Sequence, residues 1–179
     1  SRDSIPYLRQ ENVGRAITTK RRPSKTTGES AMKIGVLILN FGEPEHATLE
    51  EVVPYLERIF LRNASLESKK GGAARARQLA EARAPGLKED YDKIGGSPLN
   101  QQVRKQVRMV ELALRRRGID VKCYSGMQFT DPSIVTAVHE AHADGVENLI
   151  ALPMYPLCGM STTVAALEDV ETAVAELDW

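Results

Sequence analysis

Residues 33–40 read Lys-Ile-Gly-Val-Leu-Ile-Leu-Asn, an almost unbroken apolar run closed by a loop containing Gly42 and Pro44. A strand exposed on one face alternates apolar and polar residues. A run without alternation, of strand length, belongs to a strand covered on both faces, as in a parallel sheet. Two further segments repeat the pattern more weakly, residues 121–125 and 148–154. Between these strands lie stretches with helical spacing. Thr48 as N-cap with Glu51 three residues on forms a capping pair, followed by Val52, Leu56, Ile59 and Phe60 on one stripe. Residues 62–73 are polar and glycine-bearing, hence a loop, and residues 74–93 read as helix interrupted near Pro85-Gly86.

Ile94-Gly95-Gly96-Ser97-Pro98 is a turn, and a long amphipathic helix runs from about Asn100 to Arg117 with Val103, Val107, Val110, Leu112 and Leu114 inward. Gly118 closes it behind three arginines that suit a helix C-terminus. Asp131 as N-cap and Pro132 at the first position open the next helix, which ends at Asp144-Gly145. Ser161 or Thr162 caps the last, running to about Leu177. Strands alternating with helices give βαβ units, right-handed crossovers and an α/β fold with helices on both faces of a parallel sheet. Ligands in such folds bind beyond the carboxyl ends of the strands. Three loops stand there: residues 40–45, 126–131 and 155–161.

Composition narrows the function classes. The 179 residues carry 24 basic and 24 acidic side chains, so there is no global electrostatic case for binding nucleic acid. No apolar run approaches the ~20 residues of a membrane-spanning helix. The two cysteines, Cys123 and Cys158, form neither a disulfide framework nor a metal-ligand spacing, which suits a cytoplasmic setting. Residues 1–31 hold seven basic side chains against three acids, without apolar periodicity. They read as a disordered leader, appended or read-through sequence ahead of a domain spanning 32–179. A transit peptide is the alternative, opposed by the acids and by the missing amphipathic pattern.

Local motifs are mostly ambiguous. The 40–44 loop lacks the second glycine of a dinucleotide fingerprint. Phe41 beside a Gly-Pro turn either stacks on a flat ligand or covers the sheet end. His139 and His142 lie three apart on one helix side, but the buried stripe Ile134, Ala137, Val138 and Ala141 leaves both toward solvent with no third ligand nearby in sequence. His46 is a lone histidine in the first rim loop. The Gly95-Gly96-Ser97 turn either starts a helix or presents a hydroxyl and amides to an anion such as a carboxylate. Tyr155-Pro156 with Ser161-Thr162-Thr163 poses the same choice.

The segments also stand in a familiar order. Leu39-Asn40-Phe41-Gly42-Glu43-Pro44 is followed by Pro54-Tyr55-Leu56 with Ile59-Phe60-Leu61, and by Tyr91-Asp92-Lys93-Ile94-Gly95-Gly96-Ser97-Pro98-Leu99-Asn100. Then come Gly126-Met127-Gln128-Phe129 with Pro132, Asp144-Gly145-Val146-Glu147, and Leu152-Pro153-Met154-Tyr155-Pro156 with Ser161-Thr162-Thr163. From about residue 33 onward the chain resembles the N-terminal half of the ferrochelatase family.

The resemblance implies a three-layer, chelatase-like α/β domain with a parallel sheet of about four strands, one of two that enclose a porphyrin cleft. It implies insertion of Fe²⁺, a substrate, into a porphyrin in haem biosynthesis, with no tightly bound cofactor. It places porphyrin-wall and propionate-side positions at Phe41, Tyr91, Ser97, Gln128, Ser161 and Thr162. It places no catalytic or metal-binding residue in this chain, because the family's metal-side histidine and glutamate belong to the second half. The partner is then that half or a second subunit, and an isolated piece is inactive and exposes an apolar face; peripheral membrane contact stays open. Met160 falls where some members carry an iron–sulfur ligand, so no cluster is expected. Two departures from the family pattern bear on the wall: Gly95-Gly96 is one residue short before Ser97, and Gln128 replaces a usual basic residue. Rival readings are a short homodimeric chelatase and a non-catalytic porphyrin- or haem-binding module.

Overall fold

The computed structural model describes residues 33–66 and 72–179. The expectations placed on residues 1–31 lie outside the described residues. The elements run β1 (Ile34–Asn40), α1 (Leu49–Leu66), α2 (Ala73–Ile94), α3 (Leu99–Arg115), β2 (Val121–Met127), α4 (Ile134–Ala143) and β3 (Asn148–Pro153). A π-helical turn (Met160–Val164) then leads into α5 (Ala165–Glu176). All strands are parallel in the order β2-β1-β3, with Ile34 opposite both Val121 and Asn148. The described residues thus hold three strands of the four or so implied by the resemblance.

The apolar run of β1 has the reason expected of it. Leu37 and Leu39 face one way, against Leu149, Ala151, Val138, Ala141, Val170 and Ala173, where α4 and α5 cover the sheet. Val36 and Ile38 face the other, with Val121, Cys123 and Met127, against Val103, Val107, Val110 and Leu114 of α3. Every other residue of β1 therefore meets a different helix layer, which is why no polar residue interrupts it. Among the described residues the layer that α3 forms is incomplete. Ile150 and Leu152 pair with Val36 and Ile38 and share their face, yet remain 39% and 36% exposed because α3 sits over β2 and β1.

α1 and α2 form an antiparallel-type helical hairpin at the carboxyl end of the sheet. Ala76, Ala80 and Ala84, four residues apart, give α2 a ridge without side-chain bulk, and Val52, Tyr55 and Leu56 of α1 pack with Ala80 and Ala84. Several boundaries differ from the sequence reading. α1 continues to Leu66 and α2 begins at Ala73, so the loop is shorter than residues 62–73; residues 67–71 lie outside the described residues. α2 passes through Pro85 unbroken, since the carbonyl deprived of its donor is that of exposed Glu81, open to water. Leu112 is 48% exposed, off the 103/107/110/114 stripe. Ser133, not Asp131, caps α4, its hydroxyl accepting from the Thr136 amide at 3.1 Å.

Candidate functional site

The loops after β1 and β2 continue the ladder beyond the strands. The Gln128 amide donates to Asn40 O at 3.0 Å and the Phe129 amide to Phe41 O at 3.1 Å. The Met154 amide donates to Leu39 O at 2.9 Å, tying the third loop to the same central strand. Asn40 is buried and turns its side-chain oxygen to the Phe41 amide at 2.7 Å. The Phe41 and Phe129 rings lie 4.5 Å apart at 59°, with the Tyr55 ring edge-on to Phe129 at 6.5 Å. Gly42 lies between them at φ +79°, and a Cβ there would overlap Thr130 Oγ1. Only glycine lets the two loops approach so closely.

Tyr155 links two of the sequence-derived positions, Gln128 directly and Ser161 through it. Its hydroxyl donates to Gln128 Oε1 at 2.6 Å, and Gln128 Nε2 reaches Ser161 O at 3.5 Å. Thr162 Oγ1 donates to Gly159 O at 3.3 Å, and the Val164 amide donates to the same carbonyl at 3.1 Å. Ser161 and Thr162 therefore lie inside a π-helical turn rather than capping α5; Gly159 stands in the cap position and supplies a backbone oxygen. The wider turn widens the spacing of the hydroxyl-bearing residues, as single π turns at functional sites commonly do.

Phe41 and Tyr91 share the aromatic cluster under the α1–α2 hairpin with Tyr55, Phe60 and Phe129. Burial pushes all of these phenols up: Tyr55 and Tyr155 far above the ordinary tyrosine value, and Tyr91 in the same direction with the Glu43 carboxylate adding to the effect. They keep their protons, and the Tyr55 and Tyr155 hydroxyls donate to Gly42 O and Gln128 Oε1.

Ser97 lies apart from both groups, at the start of α3. Its Oγ accepts the Leu99 amide at 3.4 Å, while the Asn100 amide donates to buried Glu43 Oε1 at 3.3 Å. The Asn100 side chain donates to Glu43 O at 2.9 Å and Glu45 Oε2 at 3.1 Å. The Asn100 amide at this helix start is thus taken by the protein's own Glu43 carboxylate. Arg104 and then Asn100 hold the Glu45 carboxyl below its usual range. The Glu43–Asn100 bond joins residues 57 apart, and no local pattern announces it.

The histidines are engaged elsewhere. His46 gives both its amide and Nδ1 to the Glu51 carboxylate at 2.8 Å, so Glu51 completes its cap on His46 rather than Thr48. His142 packs edge-on against Trp179 at 5.2 Å, and His139 is exposed. Among the described residues no group of three or more His, Cys, Asp or Glu side chains converges as a metal site. No helix of the described residues is long and apolar enough to cross a membrane.

Comparison with known proteins fits this architecture. The family profile for ferrochelatase matches residues 33–179. The chain belongs to the ferrochelatase family. It is 36% identical over 144 residues to the chloroplastic ferrochelatase-2 of Oryza sativa, covering 78% of this chain and 27% of that protein. It is 34% identical over 134 residues to the ferrochelatase of Gloeobacter violaceus, covering 73% and 40% respectively. The Arabidopsis thaliana ferrochelatase-2, also named chloroplastic, is 34% identical over 149 residues, covering 80% and 29%. The matched stretch therefore spans well under half the length of these ferrochelatases, and the loops described above all fall within the ferrochelatase match.

Proposed function

We propose that this chain supplies the porphyrin-facing wall of a ferrochelatase, in an enzyme that exchanges two pyrrole protons of a porphyrin for one Fe²⁺. The observation that carries this reading is the pairing of the first two rim loops. The Gln128–Asn40 and Phe129–Phe41 backbone bonds place the Phe41 ring and the Gln128–Tyr155 pair on adjoining loops at one end of the sheet. An aromatic surface beside hydrogen-bonding groups suits a flat macrocycle with carboxylate arms. The reaction also requires a proton acceptor and a metal-handling group. The rim phenols, their proton affinity raised by burial, do not serve as that acceptor. In this reading the family's histidine and glutamate come from outside the matched stretch, as further sequence or a second subunit. Fe²⁺ is then substrate, no resident cofactor is needed, and Phe41, Tyr91, Ser97, Gln128, Ser161 and Thr162 are wall positions.

A second reading, a porphyrin- or haem-carrying module without catalysis, is favoured by one observation. Gln128 is neutral where the family usually has a basic residue, and its oxygen is taken by Tyr155, so it offers a propionate no charge. Titration of the chain with deuteroporphyrin, followed at the Soret band, tests the shared element of both. A saturable shift is expected, weakened about tenfold by Phe41→Ala. A Soret band unmoved by the unaltered chain would overturn the wall assignment.

A further inference from the structure

α1 carries three side chains at i, i+3 and i+7, the spacing of one helix face, and each ends on a backbone carbonyl beyond a different strand. The Tyr55 hydroxyl donates to Gly42 O at 3.3 Å, beyond β1. Arg58 Nη1 donates to Phe129 O at 2.8 Å, beyond β2. Arg62 Nη2 donates to Ala165 O at 2.9 Å, beyond β3 and directly after the π-helical turn. The same nitrogen pairs with Asp169 Oδ1 at 3.0 Å and Glu168 Oε2 at 3.4 Å. The pair with Asp169 is only partly open to water, with side chains 27% and 32% exposed, so it is screened less than a surface pair.

We infer that this face of α1 fixes the three rim loops relative to one another, and that Arg62 is a positioning residue for the turn bearing Ser161 and Thr162. The inference rests on the reading of the rim as a porphyrin wall for its functional meaning, though not for its geometry. A backbone carbonyl cannot swing as a side chain can, so two of these bonds fix where a loop stands relative to one rigid helix, and the third fixes the start of α5 and with it the turn that leads into it. Charge-assisted donors such as the two guanidiniums make the stronger of these contacts. Arg62 bonds across 103 positions of sequence, joining the first helix to the last. The aromatic packing beneath α1 already holds its N-terminal half, through Val52, Tyr55 and Leu56. The contacts of Arg62 lie a turn beyond Arg58 and reach the first turns of α5, directly after the π-helical turn, an element that this cluster does not contain.

Hydrogen exchange read by mass spectrometry tests this on the full chain. Arg62→Ala is expected to speed amide exchange in residues 159–166 about tenfold, with exchange in β1 unchanged. Arg62→Lys is expected to restore much of the protection, because a single nitrogen makes the contacts with Ala165, Glu168 and Asp169. Asp169→Asn, which keeps an oxygen and leaves α1 untouched, should give a smaller selective rise in the same segment. Unchanged exchange in residues 159–166 in Arg62→Ala overturns the inference. So does an equal rise in β1 for Arg62→Ala and Asp169→Asn, since that marks a general loss of stability. Deuteroporphyrin titration of the same proteins separates the two readings. No Soret shift with the unaltered chain sinks the wall assignment and leaves the exchange result to decide the role of Arg62.

Discussion

The Tyr155 hydroxyl donates its hydrogen to Gln128 Oε1 at 2.6 Å, joining the loop beyond β3 to the loop beyond β2. Because the phenol is partly withdrawn from water, Tyr155→Phe should leave the Gln128 oxygen without its donor and cost about 1 kcal/mol in urea unfolding. Gln128→Arg sets two effects against each other. A guanidinium cannot accept from Tyr155, yet it offers charged donors to a carboxylate arm. The expected outcome is slightly lower stability with deuteroporphyrin bound about tenfold more tightly. Unchanged or weaker binding would remove Gln128 from the propionate side.

Gly42 is where the first two loops come closest. An alanine there would pay for a left-handed φ of +79° and for overlap with Thr130 Oγ1. Gly42→Ala should destabilise the fold by at least about 2 kcal/mol in urea unfolding. A loss below about 0.5 kcal/mol would show that the loops can part at little cost, against a fixed rim.

Asp144 carries an acid-sensitive contribution to stability. Lys122 first, and Tyr124 second, hold its carboxyl below the usual range. A carboxyl whose folded pKa is depressed stabilises the fold above its unfolded value, and that contribution disappears as pH falls through the folded one. Urea midpoints measured between about pH 6 and pH 3 should therefore fall less steeply in Asp144→Asn than in the unaltered chain. Parallel profiles would contradict this.

The uncovered part of the sheet has a solution consequence. Ile150 and Leu152 share an exposed face of β3, and Leu157 and Met160 are also exposed in the loop and turn that follow. The chain should self-associate with rising concentration in analytical ultracentrifugation, and Ile150→Thr with Leu152→Thr should reduce it. A single monomeric species at high concentration in the unaltered chain would count against an unfilled face.

The fold was legible because its strands and helices leave short-range signatures. The β1 run announced burial on both faces, and the stripe from Val103 to Leu114 announced α3. Caps and helix ends were less legible, since Asp131, Ser133, Ser161 and Thr162 all have the chemistry of a cap and only the path of the chain selects among them. The site was legible as a set of loops and hardly at all as contacts. Gln128 and Tyr155 are 27 positions apart, Glu43 and Asn100 57, and Arg62 and Ala165 103. Arg62 also falls in the polar stretch 62–73 that reads in sequence as a loop, which hides both its place in α1 and its partners at the far end of the chain.

Iron insertion measured with the chain alone, and again with the C-terminal part of a ferrochelatase supplied, tests the division of labour most directly. The wall reading expects porphyrin binding without metal insertion by the chain alone, and insertion once the second part is present. Turnover by the unassisted chain would contradict it.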